Sequence, residues 1–200
     1  MITPFDHLTL LIDADHLKLG VKAIARQIHA DFSGLPEAEE PVLVVVLKGG
    51  GMFGMDLLRA MRRPMPVVFA SRNGNFDIGI ASADQELLRG RHLIVADALM
   101  DSGNTLRLLY QWLQTLQPLS IRLAVLLHKT VSHAEPLVVD YLGYEVPDVR
   151  LVGYGLDEKE LYRGLPAVYT WWHGTDHAPP LQEEPSGSTR QRKKKRKPEG

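Results

Sequence analysis

Apolar residues recur along this chain at two alternating spacings. Leu17, Val21, Ile24 and Ile28 fall on one face of a helix that Asp13 or Asp15 can cap. A polar connection with Pro36, Glu37, Glu39 and Glu40 leads to Val42–Leu47, six apolar residues in a row. A run apolar on both faces is what a strand buried inside a parallel sheet shows. Lys48–Gly51 reads as a glycine-rich turn, Met52–Met61 as a helix and Val67–Ala70 as a second short strand. Residues 71–91 are polar and read as loop, with one marginal strand near Ile78–Ile80. His92–Ala96 is a third strand, Thr105–Leu116 an amphipathic helix and Ile121–Leu127 a fourth strand. Val138–Leu142, Leu151–Val152 and Val168–Trp172 are weaker strand candidates. This alternation predicts an α/β fold, a parallel sheet flanked by helices.

Composition narrows the picture. At 200 residues, 44% apolar and 24% charged, the chain suits one globular domain with a substantial core. From Pro179 it turns to Pro, Glu, Ser and Gly and then to basic residues, which sets a domain over 1–178 and a disordered basic tail over 179–200. Residues 190–200 hold seven of the 23 basic residues and one of the 24 acids. The remaining 16 basic and 23 acidic residues leave the body at −7, unlike a nucleic-acid-binding surface. The tail itself has the composition to contact a nucleic acid or another anionic partner. Cysteine is absent, which excludes disulfides, thiolate metal sites and a cysteine nucleophile. No apolar run approaches the roughly 20 residues of a membrane helix, and the first residues lack the basic start of a secretion signal. The expected setting is cytoplasmic, with no membrane partner.

Two glycine-rich turns compete for a phosphate. Gly49-Gly50-Gly51-Met52-Phe53-Gly54 is a formal G-x-G-x-x-G between a strand and a helix, as in a dinucleotide fingerprint, and Arg72 could suit a 2′-phosphate. Lys48 before the glycines, and no acid closing the second strand, speak against it; a plain tight turn is the other reading. The second turn, Asp97 to Thr105, joins the apolar strand ending at Ala96 to a helix. Gly103 permits an unusual backbone, Ser102 and Thr105 offer hydroxyls, and the helix start presents its amides and positive dipole end. Asp97 and Asp101 bracket this cradle and suit hydroxyls or a metal beside the phosphate. A phosphorylated sugar fits; the plainer alternative is that Asp101 and Ser102 only cap the helix.

The segment IVADALMDSGNTL resembles the signature of type I phosphoribosyltransferases, which bind 5-phosphoribosyl 1-diphosphate (PRPP). Val44–Gly50 is similar to the L-K-G-G turn of the hypoxanthine-guanine branch, Leu126–Lys129 to its base-recognising segment, and Pro147–Arg163 to its C-terminal hood. The match is collinear over roughly residues 10–172, and it reassigns the first glycine turn to pyrophosphate. The resemblance implies the type I phosphoribosyltransferase fold, a parallel sheet flanked by helices with a small C-terminal hood. It implies transfer of ribose 5-phosphate from PRPP to a 6-oxopurine, hypoxanthine or guanine, with release of pyrophosphate and with Mg²⁺, in a homodimer or homotetramer.

By the same resemblance, Ser102, Gly103, Asn104 and Thr105 hold the 5′-phosphate and Asp97 the ribose hydroxyls. Asp101 lies beside the base N7 as the catalytic proton acceptor or donor. Lys48, Gly49 and Arg163 meet the pyrophosphate, with a non-proline cis peptide after Leu47. Asp157 coordinates Mg²⁺, Lys129 donates to the purine 6-oxo group, and the backbone of Leu151 reads the base edge. Three positions depart from the pattern. Ala98 replaces a second acid, Arg150 stands where an aromatic ring normally covers the purine, and the segment between Phe69 and Leu93 is shorter than the usual lid and lacks its Ser-Tyr pair. They leave an alternative, a catalytically weak or inactive nucleotide-binding relative of the same fold.

Overall fold

The computed structural model describes residues 7–36, 39–73, 77–130 and 137–172. Along the chain run β1 (Leu8–Ile12), α1 (Ala14–Phe32), β2 (Val42–Leu47), α2 (Gly51–Met61), β3 (Val67–Asn73), β4 (Asp77–Ile80) and α3 (Ser82–Leu88). There follow β5 (His92–Met100), α4 (Asn104–Gln114), β6 (Ser120–Lys129), β7 (Tyr141–Val146), β8 (Leu151–Val152) and β9 (Val168–Trp171). Six strands form one sheet in the order β4-β3-β2-β5-β6-β7, parallel except for the β3–β4 hairpin.

Period-two alternation in the central strands divides the core into two halves. Leu43, Val45, Ile94, Ala96, Ala124 and Leu126 pack with α1 and α2, whose contributions include Leu17, Ile24, Ile28, Phe53 and Leu57. Val42, Val44, Leu93, Val95, Leu123 and Val125 pack with Leu88 of α3 and with Leu106, Leu109 and Leu113 of α4. Asp13 caps α1, its carboxylate accepting from the His16 N–H at 2.8 Å.

Three expectations need correction. The 71–91 segment is a hairpin register, Ala70↔Ile80 to Asn73↔Asp77, followed by α3, rather than mostly loop. The strand expected at Val138–Leu142 lies at Tyr141–Val146. The N-terminus adds a strand that alternation alone did not reveal: β1 pairs with β9, which pairs with β8, in a separate antiparallel sheet. This sheet and the turns between β8 and β9 form the expected hood. Among the described residues no helix is long and apolar enough to cross a membrane. The basic tail, 179–200, lies outside the described residues.

Candidate active site

From β2 the chain moves outward to β3 and β4, then returns to place β5 on the other side of β2. At such a reversal an open α/β sheet leaves a crevice beyond the carboxyl ends of its strands, and ligands bind there. Both glycine-rich turns open into it, Lys48–Gly50 from β2 and Asp101–Gly103 from β5. The first of them is packed against β5. A Cβ on Gly50 would stand 2.5 Å from the Val46 carbonyl oxygen, 3.1 Å from that of Ala96 and 3.2 Å from Asp97 Cα. The Leu47–Lys48 peptide is cis.

Gly103 takes a left-handed φ of +74° and is itself the N-cap of α4, which no side chain caps. The plainer alternative, that Asp101 and Ser102 cap this helix, is therefore wrong. The amides and positive dipole end of α4 face the loop instead. Asp97, Asp101, Ser102, Gly103, Asn104 and Thr105 line a pocket of about 90 Å³. That volume suits a phosphate group at a helix start rather than a whole nucleotide.

Asp97 keeps partial surface exposure, yet burial pushes its carboxyl up to about 7, against the opposing effect of the Ala98 and Leu99 N–H groups. The next side chain turns the other way. Ala98 is 1% exposed and packs into the half of the core beneath α1 and α2. A second carboxylate there would be desolvated, so its absence is matched by the apolar surroundings.

Lys129, at the end of β6, is 7% exposed. Its ammonium donates to Asp101 at 2.9 Å and lies 3.2 Å from Asp148. Arg150 is held by Glu158 at 2.6 Å, with the carboxylate largely buried and the guanidinium exposed. Leu151 is buried in β8, whose register with Thr170 of β9 fixes its backbone.

The hood closes over the β2 turn. Gly155, at φ +93°, sits so near Gly49 that a Cβ would be 2.3 Å from its carbonyl oxygen, a position only glycine fills. Tyr154 ties the hood to α2 by donating to Asp56 at 2.7 Å; burial and then the Asp56 carboxylate raise its pKa, keeping it a donor. Arg163 donates to the Gly155 carbonyl at 2.8 Å, and its Nη2 lies 2.8 Å from Asp157 and 3.0 Å from Glu160. Glu160 also accepts from Lys48 at 3.1 Å. Arg163, and then Lys48, hold the Glu160 carboxyl below its usual range. Lys48, Asp157 and Arg163 thus meet, although 115 positions separate the first from the last.

Among the described residues no three His, Cys, Asp or Glu side chains gather as a metal site. One carboxylate, Asp157, joins the Arg163 guanidinium to the turn it stabilises by accepting from the Glu160 N–H at 2.8 Å. A hard divalent ion that arrives with substrate phosphates needs only one or two protein carboxylates, so this donor fits Mg²⁺. Asp148, Glu158 and Glu160 escaped sequence reasoning. Each acts through a cation distant in sequence or in an irregular turn, and no periodicity marks such partners. A larger open cleft of about 480 Å³, against Glu40, Arg63 and Arg91, lies at the amino ends of β2, β3 and β5 and holds none of the expected residues.

Comparison with known proteins agrees with this geometry. The phosphoribosyl transferase domain family matches residues 11–159. A hypoxanthine-guanine phosphoribosyltransferase of Aquifex aeolicus is 33% identical over 171 residues, covering 81% of this chain and 93% of the relative. A crystal structure of a hypoxanthine-guanine phosphoribosyltransferase from Bacillus anthracis is 32% identical, with a TM-score of 0.71, over 80% of this chain and 95% of that one. The hypoxanthine phosphoribosyltransferase of Trypanosoma cruzi, in complex with the product IMP, is 27% identical with a TM-score of 0.75, over 86% and 93% of the two chains. The chain belongs to the phosphoribosyl transferase family, in its hypoxanthine-guanine branch.

Proposed function

We infer that this protein is a purine salvage enzyme that transfers ribose 5-phosphate from PRPP to hypoxanthine or guanine and releases pyrophosphate. The observation that carries the reading is the meeting of the uncapped α4 N-terminus, the Lys48–Gly50 turn and the Lys129–Asp101 pair at one crevice. Each has its counterpart in the substrates. The α4 start with Ser102, Gly103, Asn104 and Thr105 binds the 5′-phosphate, and Asp97 takes the ribose hydroxyls. Lys129 donates to the 6-oxo group, the Leu151 backbone reads the base edge and the Arg150 guanidinium stacks on the purine.

As the bond to pyrophosphate breaks, positive charge grows on the ribose and negative charge on the leaving group. Asp97 and Asp101 face the first; Lys48, the Gly49 backbone and Arg163 face the second. Asp101 exchanges the proton of the base nitrogen. Asp157 would hold Mg²⁺, which supplies countercharge to the diphosphate. A homodimer or homotetramer in the cytoplasm belongs to the same proposal, as does contact of the 190–200 segment with an anionic partner. Sedimentation of the full chain tests the former; deletion of 182–200, read as salt-dependent RNA binding, tests the latter.

Turnover decides the main reading. The protein is mixed with PRPP and Mg²⁺ and offered hypoxanthine, guanine, xanthine or adenine, while nucleotide and pyrophosphate are followed. Product with an oxopurine is expected. Product only with adenine would overturn the base assignment, and tight nucleotide binding without product would restore the inactive alternative.

A further inference from the structure

Among the described residues, Glu160 is the one acidic side chain that touches both cations assigned to pyrophosphate. A single oxygen, Oε2, lies 3.1 Å from Lys48 Nζ and 3.0 Å from Arg163 Nη2. The two cations come from separate parts of the fold, one from the end of β2 and the other from the hood. The carboxylate therefore bridges the hood to the sheet where an anion of higher charge is expected. Resting on the pyrophosphate assignment above, we propose that Glu160 is an internal placeholder for the diphosphate. In the free protein it holds Lys48 and Arg163 facing each other, and it gives way when the diphosphate of PRPP or free pyrophosphate arrives.

The construction suits a contact that forms readily and breaks easily. Lys48 and Glu160 are about two-thirds exposed, 67% and 63%, so water and salt screen their attraction. Pyrophosphate brings several negative charges to the same two donors and outcompetes one carboxylate. The backbone is set for this role as well. The Glu160 N–H donates to Asp157, fixing the turn from which the side chain reaches out. Lys159, Glu160 and Tyr162 all adopt left-handed φ values, +52°, +66° and +73°, in a turn without glycine. Non-glycine residues in that region cost energy and cluster at ligand clamps. Asp157 also contacts Arg163, at 2.8 Å, so the guanidinium stays anchored when Glu160 leaves.

A competing internal anion lowers the apparent affinity by the fraction of molecules in which it occupies the site. Removing its charge should therefore tighten binding, whereas removing a structural support should weaken it. The experiment is calorimetric titration of the full chain with pyrophosphate in Mg²⁺, comparing the wild type with Glu160→Gln and Glu160→Asp. Glu160→Gln should bind about two- to fivefold more tightly, as expected for a screened surface pair, with Glu160→Asp in between. The KM for PRPP should fall by a similar factor, while IMP affinity stays at the wild-type value and the free protein's melting temperature falls only slightly, as the bridge is lost. Unchanged or weaker pyrophosphate binding by Glu160→Gln would overturn the placeholder. Lys48→Ala and Arg163→Ala separate the two levels of inference. If they weaken pyrophosphate binding while Glu160→Gln does not tighten it, only the placeholder fails. If neither matters, the pyrophosphate assignment falls and the placeholder with it.

Discussion

Lys129 and Asp101 face each other across adjacent parallel strands, and the ammonium of one donates to the carboxylate of the other at 2.9 Å. The β5–β6 register pairs Met100 with His128, so Asp101, one residue beyond β5, is brought opposite Lys129, the last residue of β6. Asp148 completes the group at 3.2 Å from the same ammonium. Two carboxylates thus orient a lysine that is itself largely buried, and the proposed function gives this ammonium the 6-oxo group of the purine to donate to.

Lys129→Ala removes that donor. A hydrogen bond to a charged group contributes roughly 1.5–3 kcal/mol, or about ten- to a hundredfold in kcat/KM. The preference for hypoxanthine over adenine should narrow by that order, measured as a ratio of kcat/KM values. Unchanged selectivity would show that another group reads the 6-position.

Asp101→Asn keeps the shape of the side chain but removes its ability to take a proton. Turnover should fall about 10²- to 10⁴-fold, the usual contribution of a positioned acid or base. IMP affinity, measured directly, should change only a few-fold, because the α4 N-terminus still binds the phosphate. Equal losses in turnover and binding would assign Asp101 to binding rather than chemistry.

Burial gives Asp97 a folded-state pKa near 7, against an ordinary value of 3.8. Between those values the folded protein keeps a proton that the unfolded chain has released, so stability falls as pH rises from about 4 to 7. Asp97→Asn has no charge to desolvate. It should melt close to the wild type near pH 4 and above it at pH 8, while its KM for PRPP rises through loss of the ribose contact. Parallel melting curves across that pH range would show that Asp97 is better solvated than its surroundings imply.

Long-period features of the chain were legible and irregular ones were not. Val42–Leu47 and Leu93–Ala96 announce buried parallel strands because both faces are apolar. Gly103 marks the cradle because few other residues take its φ. By contrast, β1 has mixed burial and owes its pairing to β9, some 160 residues away, which no local pattern encodes. The marginal strand near Ile78–Ile80 is β4, whereas α3 is hidden in the same polar stretch, which finds its apolar contacts through Ile80 and Leu88. At the site, Asp101 stands in a glycine-containing cradle that the residues themselves display, whereas Lys48, Lys129, Asp157 and Arg163 take their assignments from the resemblance to the hypoxanthine-guanine branch. Glu158 and Glu160 lie between the last two, but only the folded turn shows that one reaches Arg150 and the other Lys48.

Gly50 is fixed by packing at the site, for a reason unrelated to backbone freedom. Its φ of −72° and ψ of −5° suit any residue. The obstacle is the approach of the Lys48 turn to β5, since an added Cβ would meet the backbone of Val46, Ala96 and Asp97, none of which can rotate away. Gly50→Ala must therefore push the Lys48 turn off β5. Overpacking of this kind costs roughly 1–3 kcal/mol, and the displaced turn carries Lys48 away from the leaving group. Both Tm and PRPP affinity should fall, with the KM for PRPP rising more than that for the base. Gly51→Ala is the matched control. It lies at the start of α2, where a new Cβ meets only Leu47 Cδ2 at 3.5 Å, and stiffening the unfolded chain should leave it equal to or about 0.4–1 kcal/mol more stable than the wild type. If the two variants behaved alike, the contact between the glycine turn and β5 would not be what holds the pyrophosphate and ribose halves of the site together.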